Sequence, residues 1–331
     1  MDDDPMLFAL GASRAFGEAV AAHLGLGLSP MEERDFEDGE FKQRALVSVR
    51  GRDVYAVSSL YGESGASSAD KFLRLLMFIG GLKDSGAARV TAVTPYLCFS
   101  RKDRRTKPRD PIATRYVAQL FEAMRADALM TADVHNIAAF ENAFRCETIP
   151  LDAHAIFARH FASLIGDAPL AVVSPDLGGE KRAELFRQRL ERMLKRPVAK
   201  AFMDKTRSEG RVTGDIFAGE VAGRVAIVLD DLIAGGGTAA RAATACRAHG
   251  AAQVFVAATH GVFAAAAPET LRDAPIDGVA ITDSVALRPN DATASALQER
   301  LAILSLAPLF AEAIRRRHEG GSITQLLADG S

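Results

Sequence analysis

At 331 residues the chain is long enough for two domains with separate cores, and its 48% hydrophobic and 25% charged residues with a formal net charge of −2 describe a globular protein. The balanced charge excludes a general nucleic-acid binder, and no apolar run approaches the ~20 residues of a membrane-spanning helix. The acidic start MDDDPMLFALG lacks the basic region of a secretory signal, so a cytoplasmic location is expected.

Short β-branched runs alternate with longer amphipathic segments along the whole chain. Strands are expected at Leu7 to Leu10, Val54 to Ser59, Val90 to Tyr96, Ala128 to Val134, Leu170 to Asp176, Val225 to Asp231, Val254 to Thr259 and Val279 to Asp283. Helices are expected at about 13–23, 69–83, 112–125, 153–165, 178–194, 238–249 and 294–317. The alternation predicts an α/β protein with parallel sheets covered by helices, in two halves meeting near residue 150. Functional loops should then lie beyond the carboxyl ends of strands. Cys98, Cys146 and Cys246 are odd in number and fall outside CxxC patterns, which suggests small hydrophobes and neither a disulfide framework nor a zinc site.

The first candidate loop is FEDGE, Phe36 to Glu40, whose Asp38-Gly39 dipeptide by itself marks only a turn. The second, TPYLCFSRKDRRTKPRDPI, places Arg101, Lys102, Arg104, Arg105, Lys107 and Arg109 after a strand, with Arg115 just beyond. A solvated charge run is the ordinary explanation; the placement after a strand favours a polyphosphate-binding loop. TADVHN follows, and in an alternating strand Asp133 and His135 would share a face and could hold one metal ion or phosphate oxygen. SPDLGGEKR brings Asp176 to a strand end before two glycines. AFMDKTRSEGRVTGD then carries Lys205 and Arg207 in a segment suited to a mobile loop over a reacting phosphate.

The centre of the pattern is RVAIVLDDLIAGGGTAAR, residues 224–241. A buried strand ends at Asp230 and Asp231, and Ala234, Gly235, Gly236, Gly237 and Thr238 lead into a helix. Loop amides and the helix N-terminus can hold phosphate while the carboxylates accept hydrogen bonds from sugar hydroxyls. A tight turn with two solvated acids is the plainer alternative.

These blocks, with SVRGRDVY at 48–55, ATHGVF at 258–263 and GGSIT at 320–324, resemble in kind and order the ribose-phosphate pyrophosphokinase family. The resemblance implies two similar phosphoribosyltransferase-type domains, each a mainly parallel sheet flanked by helices. It assigns residues 1–151 to an ATP-binding half, with a C-terminal helix of about 294–331 packing back on it, and 152–331 to a ribose-phosphate-binding half. It also implies a homodimer or a hexamer built from dimers, and a reaction in which the C1 hydroxyl of ribose 5-phosphate attacks the β-phosphorus of magnesium ATP. Phe36, Asp38, Glu40, Arg101, Lys102, Asp103, Arg104 and His135 match the ATP site. His135 and Asp176 match Mg2+ and phosphate contacts, Asp230 and Asp231 the ribose-hydroxyl acids, and Lys205 and Arg207 the catalytic pair. Ser48, Arg50, Ser322 and Thr324 match a phosphate and ADP regulatory site.

The chain departs from the family pattern in both substrate regions. Ala234 and Gly235 replace the aspartate and threonine of DDxxDTGGT, which removes a hydroxyl donor and leaves a roomier cradle. Lys102 replaces a glutamine, Arg74 a glutamate and Ala153 an asparagine, and NIAAFENAF after DVH replaces IQGFF. A larger 5-phosphate-substituted acceptor such as ADP-ribose is therefore weighed beside ribose 5-phosphate. A weakly catalytic regulatory subunit and a phosphoribosyltransferase are the remaining alternatives.

Overall fold

The computed structural model describes residues 4–63, 65–208, 211–288 and 291–329, with the side chains of 205–215 and 329 outside the described set. Its contacts divide the chain into two compact units. Unit 1 comprises Met1–Asp152, Ser284–Ala286 and Leu306–Asp329; unit 2 comprises Ala153–Asp283 and Leu287–Ser305.

Unit 1 runs β1 (Met6–Ala9), α1 (Arg14–Leu24), β2 (Met31–Asp35), β3 (Phe41–Ala45), β4 (Asp53–Val57), α2 (Ser68–Asp84), β5 (Arg89–Thr94), α3 (Ala113–Ala123), β6 (Ala128–Ala132), α4 (Ile137–Ala143) and β7 (Glu147–Leu151). Five strands form one parallel sheet in the order β1-β4-β5-β6-β7, and β2 and β3 form a separate antiparallel hairpin. Every residue of β4 and β6 is buried, as covering a parallel sheet on both faces requires. Phe8, Val54, Ala56, Val90, Ala92 and Leu129 pack in one core with Phe72 and Leu75 of α2 and Phe121 of α3. α2 starts where Ser67 and Asp70 form a reciprocal cap: the Ser67 hydroxyl accepts from Asp70 N at 3.1 Å and the Asp70 carboxylate accepts from Ser67 N at 2.8 Å.

Unit 2 runs α5 (His154–Ile165), β8 (Leu170–Ser174), α6 (Glu180–Leu194), β9 (Ala199–Ser208), β10 (Arg211–Gly219), β11 (Val225–Ile233), α7 (Gly237–Ala248), β12 (Gln253–Gly261), α8 (Ala267–Asp273), β13 (Gly278–Thr282), α9 (Ala292–Leu297) and β14 (Leu301–Leu304). Its sheet has the order β10-β9-β8-β11-β12-β13-β14, parallel except for β10 against β9. β8 connects through α6 toward β9, and β11 connects through α7 the opposite way toward β12. Right-handed crossovers that diverge in this manner put the two helices on opposite faces and open a crevice at the carboxyl ends of β8 and β11.

The chain then returns to unit 1 as α10 (Ala307–Glu319) and α11 (Ile323–Asp329). Phe310 of α10 meets Phe16 of α1 edge to face at 5.5 Å, and Arg315 donates to the His23 carbonyl at 3.2 Å. In the last turn of α10, Arg317 donates to Glu147 at 2.8 Å and lies 3.8 Å from Asp53, and His318 Nδ1 lies 2.8 Å from the same aspartate. Arg89 donates to Asp53 at 2.6 Å. The first residues of β4 and β7 are thus bound to the end of one late helix, and that of β5 joins them through Asp53.

The alternation of strands and helices is as expected from the sequence, with β2, β3, α4 and α8 added to the expected elements and with further local corrections. The helix expected over 294–317 is interrupted by β14, because LAIL at 301–304 pairs with β13 and Pro308 falls in the first turn of a new helix, where its missing N–H costs nothing. The same break divides the C-terminal helix expected over about 294–331. The segment expected as a mobile loop around Lys205 has backbone in the antiparallel pair β9 and β10. β7, not anticipated, tolerates Pro150 because it is an edge strand.

Candidate functional site

In unit 1 the candidate residues stand on the turn of the β2–β3 hairpin and on the loops after β5 and β6. The FEDGE turn closes with Phe36 N donating to Glu40 O at 2.9 Å and Gly39 N to Phe36 O at 3.1 Å, and Gly39 supplies the φ of 91° that the turn requires. Glu40 N donates to the Asp38 carboxylate at 3.1 Å, so Asp38 holds the turn, while the Phe36 ring, 38% exposed, has the Arg34 guanidinium over it at 5.1 Å from its centroid. Arg74, where the family pattern has a glutamate, binds Asp35 and lies 4.4 Å from the Phe41 ring centroid, bracing the hairpin from α2.

The basic loop begins at Phe99, a 44% exposed aromatic at φ 59°, a conformation rarely adopted by such a residue. Thr114 N donates to Lys102 O at 3.3 Å, which ties the loop entry to α3. At the far end Asp110 accepts from Thr106 Oγ1 at 2.7 Å, Thr106 N at 3.2 Å and Lys107 N at 2.9 Å. These hydrogen bonds, the Thr106 hydroxyl first, hold the Asp110 carboxyl below the usual carboxylate range. Among the described residues, Arg101, Arg104, Lys107 and Arg109 make no side-chain hydrogen bond or ion pair, and all four are exposed. Unpaired cations gathered on one ordered loop suit a polyanion more than a solvated face laced with salt bridges.

After β6 the sequence expectation needs correction. β6 ends at Ala132 and Asp133 has φ 36°, so Asp133 and His135 lie beyond the alternating strand and do not inherit a common face from it. His135 is exposed. Asn136 next to it caps α4, its carbonyl oxygen accepting from Ala139 N at 3.2 Å, and its amide donates to Asp103 of the basic loop at 2.7 Å.

In unit 2 the candidate residues line the carboxyl ends of β8 and β11, where the connections diverge. Asp176 caps the short turn Leu177–Gly179 by accepting from Gly179 N at 3.0 Å, and Ser174 Oγ donates to the Asp176 carbonyl at 2.7 Å. β11 runs to Ile233, two residues further than expected, because its pairing with β12 continues through His260 and Gly261. Asp230 and Asp231 therefore lie within the strand, the Asp231 side chain only 4% exposed and that of Asp230 25%. Arg182 of α6 reaches both, 3.3 Å from Asp231 and 3.9 Å from Asp230. Burial and then the Asp231 charge push the Asp230 carboxyl well above the usual carboxylate range, and Arg182 opposes them. Burial and like charge thus act against ionisation of both acids at once, and Arg182 offsets part of that cost. Arg182 was not singled out from the sequence, since it lies 49 positions from Asp231.

Below the acids, Ala234 to Gly236 turn the chain into α7, whose first N–H groups lack helical partners. Gly236 has φ 79°, and a Cβ there would stand 3.0 Å from Leu271, so glycine is required. Gly235 differs: a Cβ there would meet nothing within 4 Å. Thr238 sits in the first turn of α7. Arg241 is exposed, approaches to 3.9 Å of a Cβ placed on Gly237, and makes no hydrogen bond or ion pair among the described residues.

Lys205 and Arg207 occupy β9, opposite Asp215 and Val212 of β10; their side chains lie outside the described residues. Ser48 and Arg50 precede β4, where the Arg50 side chain packs beside Gly86; Ser322 immediately precedes α11, its Oγ accepting from Gln325 N at 3.1 Å, and Thr324 lies in the first turn of that helix. Among the described residues no group of three or more His, Cys, Asp or Glu side chains converges on a metal position. A magnesium ion carried by nucleotide phosphates needs only one or two protein carboxylates, and single acids such as Asp133 and Asp176 at strand ends fit that donor set.

Parallel sheets with acids, a glycine turn and a basic loop at their carboxyl ends define an α/β protein of the phosphoribosyltransferase type. Residues 5–124 match the family model for the N-terminal domain of ribose phosphate pyrophosphokinase, and residues 201–328 match that of the phosphoribosyl synthetase-associated domain. The ribose-phosphate pyrophosphokinase of Caldanaerobacter subterraneus subsp. tengcongensis is 37% identical over 97% of this chain and 96% of its own. That of Granulibacter bethesdensis is 35% identical over 97% and 99%. The crystal structure of phosphoribosylpyrophosphate synthetase from Mycobacterium smegmatis superposes with a TM-score of 0.85 at 31% identity, covering 96% of this chain and 100% of that one. The chain belongs to the ribose-phosphate pyrophosphokinase family and is a diphosphotransferase of that class.

Proposed function

We propose that the protein transfers the β,γ-diphosphoryl group of magnesium ATP to the C1 hydroxyl of ribose 5-phosphate, giving phosphoribosyl pyrophosphate and AMP. The observation that carries this reading is the set of unpaired cations, Arg101, Arg104, Lys107 and Arg109, on one ordered loop of unit 1. They receive the ATP polyphosphate, with Lys102, Asp103 and His135 beside them and the exposed Phe36 ring, Asp38 and Glu40 at the adenine. In unit 2 the glycine turn and α7 N-terminus bind the acceptor phosphate, Asp230 and Asp231 orient the ribose hydroxyls, and Asp176 completes the phosphate side. Lys205 and Arg207 neutralise charge on the diphosphoryl group in flight. Phosphoryl transfer rests on positioning and charge neutralisation, which explains a site richer in cations than in strong bases. Magnesium, when bound with the nucleotide, neutralises phosphate oxygens and polarises the phosphorus under attack. The working form is a homodimer or a hexamer of dimers, and Ser48, Arg50, Ser322 and Thr324 form its regulatory phosphate site.

A second acceptor class is favoured by one feature. The open space at Gly235 and the unpaired Arg241 nearby leave room and charge for a substituted 5-phosphate, such as that of ADP-ribose. The test is AMP formation by the purified protein with magnesium ATP and ribose 5-phosphate, ADP-ribose or no acceptor. Ribose 5-phosphate should drive the reaction, and Lys205→Ala should lower the rate by about a hundredfold or more. Turnover of the larger acceptor alone would replace the first reading by the second, and inertness toward both would leave a regulatory subunit.

A further inference from the structure

The basic loop of unit 1 is fastened at its entry by Thr114 of α3, which holds Lys102, and at its exit by Asp110, which holds Thr106, Lys107 and, through its carbonyl, Arg105. Neither tie reaches Asp103 and Arg104. The bond that does comes from another loop, from Asn136 Nδ2 to Asp103 Oδ2 at 2.7 Å. The other end of the same amide is also fixed, since its oxygen accepts from Ala139 N at 3.2 Å, and the Asn136 backbone carbonyl accepts from Phe140 N at 3.0 Å. Phe140 is buried, with its ring 5.0 Å from that of Phe144, and Phe144 stands 6.3 Å from Phe121 in the unit core. A single side chain therefore transmits the position of a core-anchored helix to the middle of the cationic loop.

We infer that Asn136 is a positioning residue for nucleotide binding: it holds Asp103, and with it the unpaired Arg104, in the place where the loop meets the ATP polyphosphate. The inference rests on the proposal that this loop is the ATP site. Asn136 opens the segment NIAAFENAF, in which the chain departs from the family pattern, so the clamp belongs to this sequence's own solution for the loop. Without it the four cations stay on the loop but must be ordered by the nucleotide itself, which weakens binding and leaves the later transfer step alone.

The two bonds of Asn136 can be separated. Asn136→Ser retains a good helix cap but is too short to reach Asp103, and Asn136→Asp retains the cap while setting a carboxylate against Asp103. Equilibrium binding of magnesium ATP, steady-state kinetics and thermal unfolding would be measured on the full chain and both variants. The expected result is a KM and a Kd for ATP raised by about five- to tenfold in Asn136→Ser and more in Asn136→Asp, with kcat within about twofold and the melting temperature nearly unchanged. ATP affinity equal to wild type in both variants would overturn the inference, as would a loss of affinity that only tracks a loss of thermal stability. If the wild-type protein fails to bind ATP, the assignment of the loop falls and the inference with it, an outcome visible before any variant is compared.

Discussion

In unit 1 the loop at the carboxyl end of β5 leaves Arg101, Arg104, Lys107 and Arg109 exposed and, among the described residues, unpaired, whereas in unit 2 the acids near the end of β11 are drawn into the sheet and held by Arg182. On the proposed function, the difference follows from what each meets. A polyphosphate brings its own charge, so the protein can leave cations in water, where they cost little, and order only the backbone that carries them. Sugar hydroxyls bring no charge, and carboxylates are strong acceptors for them only when partly withdrawn from water, which forces the protein to stabilise the acids before the sugar arrives.

The strongest way to break this contrast is to remove the internal partner of the acids. Arg182→Met should lower stability by about 3 kcal/mol, because it removes a cation shared by two neighbouring, largely buried carboxylates. The sign with pH follows from Asp230. Its carboxyl titrates higher in the folded protein than in the unfolded chain, so the stability it contributes is complete below the unfolded carboxylate value and is lost as pH rises through the folded one. Losing Arg182 raises the folded value further, and the deficit should be larger at pH 8 than at pH 5. Denaturant unfolding at the two pH values measures this, and an equal deficit at both would mean that Arg182 acts by packing.

The complementary substitution in unit 1 should leave stability untouched. Arg101→Ala removes an exposed cation that has no partner among the described residues, so the melting temperature should stay within error while the KM for ATP rises about tenfold. The effect should shrink as salt increases, since screening already weakens an exposed cation. Asp230→Asn is smaller and of opposite sign: it relieves the repulsion in the acid pair and should raise stability at pH 8 by about 1 kcal/mol, with little gain at pH 5, while acceptor binding weakens.

The contrast also marks what the sequence could show. Strand ends, the basic loop and the glycine turn are local patterns, and β-branched runs followed by helix-forming stretches placed them to within a few residues. The partners of the charges are not local. Arg182 reaches Asp231 across 49 positions and Asn136 reaches Asp103 across 33, distances over which periodicity carries no information. A signal existed for Asn136, since asparagine directly before a helical stretch is a capping residue; what the other end of its amide would find was not visible. β14 was hidden because LAIL fits a helix as well as a strand, and only Pro308 indicated a break. Gly235 and Gly236 are equivalent as letters, yet only Gly236 is bound to be glycine.

That last distinction gives the smallest effect and the most specific one. At Gly235 a Cβ meets nothing within 4 Å and the backbone is not left-handed, so Gly235→Thr should fold normally and return a hydroxyl to the cradle. If the acceptor is ribose 5-phosphate, its KM should fall about threefold, the gain from one added hydrogen bond after the cost of ordering the side chain. If the open space serves a substituted phosphate, the same threonine should obstruct it and raise the KM for ADP-ribose while leaving the affinity for ATP unchanged. Gly236→Thr is the contrasting case, with φ 79° and Leu271 at 3.0 Å, and it should damage the turn whichever acceptor is used. A matched decline of both acceptors in Gly235→Thr, as in Gly236→Thr, would show that the space is needed by the 5-phosphate common to both, so that the missing threonine is a requirement of this loop and not a change of specificity.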